Sequence, residues 1–215
     1  MKDTPVAGIW RERFFAPSLL WRVSDKKSDE GIRPFRCPSW SWGSVSRPVV
    51  YTGRVPSRPN KNKPWKSYDD TKYFPNIIRW NIDDNGRDGV DGYVSLRCKL
   101  LREDEMDCEK HFVKDFLNAP PKPHGDAEAI HFETHHDFAD AAMVEGTWLM
   151  PVRTKQYILG GKDKGRYTYD IETQLLRLEK ISPDRADFRR IGLVITRSWA
   201  NKWLEKGQEE VFRVF

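Results

Sequence analysis

Residues 93–100 alternate without a break. Val94, Leu96, Cys98 and Leu100 take the even positions, with Ser95, Arg97 and Lys99 between them. Successive side chains of a strand point to opposite faces, so this run buries one face and wets the other. A helix would repeat its apolar residues every 3.6 positions instead. Similar reasoning predicts strands over 130–132, 147–152, 167–171, 175–178 and 188–196, and a last one over 211–215. Turn-forming residues separate these runs, and Asp83-Asp84-Asn85-Gly86 is the strongest such signal. Strands do not alternate regularly with helices, which argues against a doubly wound nucleotide-binding sheet. The expected fold is mainly β (α+β): an antiparallel β-sandwich or barrel-like domain with a few short helices and long loops, forming a single domain over residues 1–215.

Helices are expected at only two places. Ile9, Trp10, Phe14 and Phe15 precede Pro17, and Leu19, Leu20 and Trp21 follow it, which fits a short helix broken at the proline and then an extended piece. Ser198 is placed to cap a short helix carrying Trp199 and Trp203 at i and i+4. Residues 36–45 read as a strand on which Trp40 and Trp42 share one face and Ser39 and Ser41 the other.

Only 38% of residues are hydrophobic and 32% are charged. Nine Trp, seven Tyr and eleven Phe nevertheless supply large rings that a disordered tail would not carry, so a packed domain with polar loops is expected. No apolar run approaches the roughly 20 residues that cross a bilayer, and no basic stretch followed by an apolar one marks a secretory signal. Cys37, Cys98 and Cys108 are an odd number without metal-type spacing, as expected of reduced thiols in a cytoplasmic protein. The net charge is +5, yet Arg47 to Trp80 alone holds eight basic residues and two acidic ones, a local +6. The basicity therefore belongs to one segment, centred on a basic Pro-rich loop over residues 52–75. Tyr51, Trp65, Tyr68, Tyr73, Phe74 and Trp80 interleave its charges, a combination that suits single-stranded nucleic acid. No nucleic-acid fold signature accompanies it, so a solvated loop anchored by a few rings is the plainer reading.

The candidate site residues are few. Trp40, Trp42 and Trp21 could line a pocket for an apolar ligand, though core packing is the plainer reading of such rings. His131 and His135 lie close in sequence to Glu133 and Asp137, which suits general acid–base chemistry better than a metal centre. Asp83 could pair with Asp84, although the following Asn-Gly turn accounts for both. No P-loop, dinucleotide fingerprint or nucleophile elbow is present. No metal and no cofactor is expected.

Three stretches carry a family resemblance: Ala7-Gly8-Ile9-Trp10 with Ser18-Leu19-Leu20-Trp21-Arg22-Val23; Arg36-Cys37-Pro38-Ser39-Trp40-Ser41-Trp42-Gly43-Ser44-Val45; and Glu145-Gly146-Thr147-Trp148-Leu149-Met150-Pro151-Val152 with Leu175-Leu176-Arg177-Leu178 and Phe188-Arg189-Arg190-Ile191-Gly192-Leu193. Together they resemble the β-rich, carboxy-terminal region of fungal heterokaryon-incompatibility (HET-type) proteins. The second stretch is the most specific match, although Cys37 and Gly43 stand where the family has Ala, and Ser46-Arg47 where it has Asp-Gly. The amino-terminal motif of the HET domain itself has no counterpart here, so no activity of that domain is carried onto these residues. The resemblance implies a non-catalytic binding or regulatory module whose partner is a HET-type protein. The alternative is a stand-alone fungal secondary-metabolism enzyme, a cyclase or pericyclase, acting on an apolar small molecule in a Trp-lined pocket. Such chemistry needs a shaped cavity and a few polar groups, and leaves no motif.

Overall fold

The structure is a computed structural model. It describes residues 5–6, 9–10, 15–24, 37–45, 47–52, 71–83, 91–105, 109–112, 129–160, 167–198 and 202–215. In chain order the elements are β1 (Pro5–Val6), β2 (Ile9–Trp10), α1 (Phe15–Ser18), β3 (Trp21–Val23), β4 (Val49–Tyr51), β5 (Thr71–Tyr73), β6 (Asn76–Asp83), β7 (Asp91–Arg102), β8 (Glu109–Phe112), β9 (Ala129–His136), β10 (Trp148–Gly160), β11 (Tyr167–Lys180), β12 (Asp187–Ser198), α2 (Lys202–Glu205) and β13 (Gln208–Val214). Single 3₁₀ turns occupy Trp42–Ser44 and Ala139–Met143. The chain is β-rich, as its alternating runs require, with two short α-helices among the described residues.

The main sheet curls into a ring. β11 pairs with β10, β10 with β7, β7 with β13, β13 with β12, and β12 returns to β11. The β7–β10 contact is confined to Trp148↔Arg102 and Leu149↔Leu101. Beyond it β6 lies on β7 and β5 on β10, with only Phe74 and Pro75 between these two short strands. β12 likewise meets β13 only at Asp187 and Phe188, then carries β9 along 192–197. The architecture is thus barrel-like rather than two stacked sheets. It is also mixed: most pairings are antiparallel, whereas β12–β13 and β8–β9 are parallel.

The curvature has local causes. Register shifts interrupt the ladders at Ile77/Arg79, Pro151/Arg153 and Arg177/Leu178, and such bulges bend a strand and increase its twist. Pro151, which has no N–H to give to a ladder, sits at one of them. Its carbonyl accepts a hydrogen bond from the Cys98 thiol at 3.4 Å.

The ring is filled by its inward side chains. Val94, Leu96, Cys98, Leu100, Met150, Val152, Leu176, Leu178, Phe188, Leu193, Ile195, Phe212 and Val214 form one cluster, joined by Ile9, Phe15, Leu19, Leu20 and Trp40 from the amino-terminal segment. The alternation over 93–100 is borne out: the four apolar residues are buried, and Arg97 is exposed. A second cluster lies outside the ring, where Leu101, Leu149, Leu175, Val194 and Phe132 pack under Trp203 and Leu204 of α2.

Several expectations need correction. Residues 36–45 do not form a strand: the described part, 37–45, is turn and 3₁₀ helix. Ser41 caps that turn through its side chain, which accepts from the Gly43 N–H at 3.0 Å, and the Ser44 hydroxyl donates to the Ser41 carbonyl at 2.7 Å. Serine hydroxyls that bond nearby backbone in this way compete with strand ladders. The basic loop over 52–75 ends in β5; residues 53–70 lie outside the described residues, as do Asp84, Asn85, Gly86 and Trp199. No helix among the described residues is long and apolar enough to cross a membrane.

Candidate functional site

The richest gathering of polar chemistry lies where the amino-terminal segment crosses β9 and β12. Its centre is Arg190, which is fully buried. Phe188 and Arg190 lie on the inward side of β12 just before the bulge, so the strand that supplies core residues also carries a guanidinium inward. A buried charge needs a partner and full hydrogen bonding. Arg190 has both. Its Nε lies 2.9 Å from Asp137 Oδ2, in an ion pair whose carboxylate is almost as buried. Its terminal nitrogens donate to the Leu19 carbonyl at 2.7 Å and the Trp21 carbonyl at 2.5 Å. The guanidinium stacks 3.4 Å from the centre of the Trp21 ring, a cation–π arrangement. Burial holds Arg190 below its ordinary pKa, and the Asp137 charge opposes that shift.

The backbone of Arg190 is tied as well. Its N–H donates to Ser39 Oγ at 2.9 Å, and that hydroxyl in turn donates to the Phe215 carbonyl. The Ser39 N–H reaches the same carbonyl at 2.9 Å. Trp21 Nε1 donates to the Trp40 carbonyl at 3.3 Å. The Trp40 ring meets Trp80 edge-on at 5.6 Å, and Trp80 meets Phe15 at 5.1 Å. Trp80 and Phe74, two of the rings interleaved with the basic segment, are therefore packed against the core.

His135 sits beside this assembly on β9, also buried. Its Nδ1 lies 3.3 Å from Arg22 Nη1, and its Nε2 lies 2.9 Å from Glu133 Oε1. Gly192 of β12 is paired with His136, and a Cβ built on it would stand 2.4 Å from the His135 carbonyl oxygen. Only glycine lets β9 come this close.

The six residues singled out from sequence separate as follows. Trp21, Trp40 and His135 are brought together here. Trp42 points away, 42% exposed, because the 3₁₀ turn rotates it off the Trp40 side. His131 falls on β9 opposite Arg197 and His111, and Asp83 ends β6 opposite Asp91; the side chains of these two lie outside what the structure describes. Among the described residues no three His, Cys, Asp or Glu side chains gather as a metal ion requires. Arg190 and Ser39 were not singled out. The available signal for the first was only that Arg190 shares the parity of Phe188, and the bulge that follows hides it by moving the core positions to Leu193 and Ile195.

A second ion-pair cluster braces the opposite face of β11. Arg177 Nε lies 3.1 Å from Glu103 Oε2, and its terminal nitrogens donate to the Ala141 and Val144 carbonyls at 2.6 and 3.3 Å. The Thr147 hydroxyl donates to the same carboxylate at 2.5 Å. Glu103 is therefore half-buried and engaged.

A depression of about 480 Å³ opens near the end of β7, with Leu100, Leu101, Trp148 and Trp203 among its walls. Arg102, Glu105, Lys206 and Glu210 also line it. None of the six residues singled out from sequence lines it. No protein-family model, no curated protein and no solved structure matches the chain.

Proposed function

We propose that this chain is a non-catalytic binding or regulatory module of the kind found in the carboxy-terminal region of fungal HET-type proteins. One observation carries the reading. The residues that match the family pattern, Leu19, Trp21, Ser39, Trp40 and Arg190, bond or pack against one another and against Asp137 and Phe215, and Gly192 lets β9 approach beside them. Groups engaged this way hold a shape and are not presented to a substrate. The partner in this reading is a HET-type protein. Calorimetric titration of the folded chain with a recombinant HET-type domain tests it. Saturable binding of one domain per chain is expected, whereas no binding at 100 µM or above on the order-of-magnitude scale of weak interfaces would refute it.

A second reading is favoured by the depression between Trp148 and Trp203, whose volume falls within the range of small-molecule sites. In this reading the chain is a cyclase or pericyclase whose apolar substrate lies against the two rings. The depression's charged rim fits a fully apolar substrate poorly. Quenching of tryptophan fluorescence by a polycyclic or polyene ligand, abolished by Trp148→Ala, would promote this reading above the first.

A further inference from the structure

His135 stands between a cation and an anion that belong to different parts of the fold. Arg22 is on β3, in the small β3–β4 sheet; Glu133 is on β9, two residues from His135 on the same strand. An arginine has only donors to offer, so Arg22 at 3.3 Å requires Nδ1 to be the unprotonated, accepting nitrogen. The proton of the neutral ring is then on Nε2, which lies 2.9 Å from Glu133 Oε1 without the alignment of a hydrogen bond. Adding a second proton at Nδ1 removes the acceptor that Arg22 uses and sets two cations face to face. It also completes an ion pair with Glu133 at 2.9 Å. Protonation thus exchanges a partner on β3 for a partner on β9.

We propose that His135 is a proton-sensitive latch that holds the outer part of the β3–β4 sheet against β9 at neutral pH and releases it on acidification. The surrounding charges do not blur this exchange. From β3 the facing group is Arg22; from β9 itself they are Glu133 and Asp137. From β12 come Arg190, neutralised by Asp137, and Arg197, which lies on the same face as Ile195 opposite Glu133. From β4 comes Tyr51, a phenol whose pKa burial raises. Of these groups the imidazole is the side chain whose unperturbed chemistry changes charge near neutral pH. The neutral ring favours docking, so the latch is engaged while the ring is neutral and weakens as pH falls and the ring takes up its second proton. Trp21 and Leu19 remain held by Arg190, so release is confined to Arg22–Ser24 and Pro48–Thr52, which are joined by the Ser24 N–H to Pro48 carbonyl and Thr52 N–H to Leu20 carbonyl bonds.

The test is amide hydrogen exchange of Thr52, whose N–H donates to the Leu20 carbonyl and so ties the released piece to the segment that Arg190 holds, at pH 7.5 and 5.5, corrected for intrinsic rates. The ring tautomer is read in parallel from its nitrogen chemical shifts. Losing one hydrogen bond to a charged group is expected to raise opening about tenfold at the lower pH. His135→Gln, whose amide oxygen can still accept from Arg22 but never charges, should abolish the pH response. His136→Gln should leave it intact, although His136 also titrates, its pKa lowered by burial and by Arg177. Arg22→Gln, which removes the repulsion without touching β9, should shrink the response and keeps the test open if His135→Gln fails to fold. A proton on Nδ1 at pH 7.5, or an equal pH response in the wild type and His135→Gln, would overturn the proposal.

Discussion

Arg190 and Asp137 meet at 2.9 Å with both side chains out of solvent, and the arginine's other N–H groups fasten the backbone of Leu19 and Trp21. The pair therefore links three separate stretches of chain. Removing one member leaves the other as an uncompensated buried charge, which typically costs about 3–5 kcal/mol. Asp137→Ala and Arg190→Met should each show a loss of that size in urea unfolding. The double variant should lose clearly less than the sum, because neither charge is then left alone. Additive losses would mean that the two side chains do not act as a unit.

Trp40 and Trp42, alike in sequence, should differ in consequence. Trp40 is fully buried against Trp80, so Trp40→Ala should cost about 3–5 kcal/mol. Trp42 is 42% exposed, and truncating it should change stability by about 1 kcal/mol or less. Thermal unfolding of the two variants side by side measures the contrast; equal losses would contradict the turn that separates them.

Gly192 should not tolerate a methyl group. An added Cβ would fall 2.4 Å from the His135 carbonyl oxygen, which is backbone and cannot simply swing aside. Gly192→Ala should therefore destabilise by about 1–3 kcal/mol, the usual range for overpacking. Its exchange effect should centre on the β9–β12 ladder. A neutral outcome there would show that β9 lies farther from β12.

Cys98 should be chemically silent. Burial pushes its thiol up to about 12, so roughly one molecule in ten thousand is thiolate at pH 8. Because the folded value lies above the ordinary thiol value of 9.0, this group favours folding fully below pH 9 and loses that contribution as pH climbs toward 12. Cys37 is only partly buried, though burial raises its thiol as well. In a Cys108→Ser background, alkylation at pH 8 should label Cys37 first and Cys98 only on unfolding.

Much of the barrel wall was legible because it follows period 2. The run 93–100 is β7's core, and the runs 147–152, 175–178 and 188–196 mark β10, β11 and β12, though each strand extends beyond its apolar part. That extension carries charged and polar inward residues such as Glu172 and Gln174, which a hydrophobic pattern cannot flag. The Ser-Trp-Ser-Trp stretch misled for a local reason: its alternation is real, but the serine hydroxyls bond their own backbone and wind it into a turn. The site was legible only in part. Trp21, Trp40 and His135 stood out by residue type, whereas Arg190 looked like one of two adjacent surface arginines. Its partner Asp137 lies 53 positions away along the chain, and such a pairing is fixed by tertiary structure alone.

Arg190 fastens the amino-terminal segment to the barrel through the Leu19 and Trp21 carbonyls. Hydrogen exchange of Arg190→Met, compared with the wild type, tests it most directly. Amides of β3 and of residues 39–45 should exchange faster by roughly a hundredfold or more, while the β10–β11 ladder keeps its protection. Wild-type protection in β3 and 39–45 of the variant would contradict it.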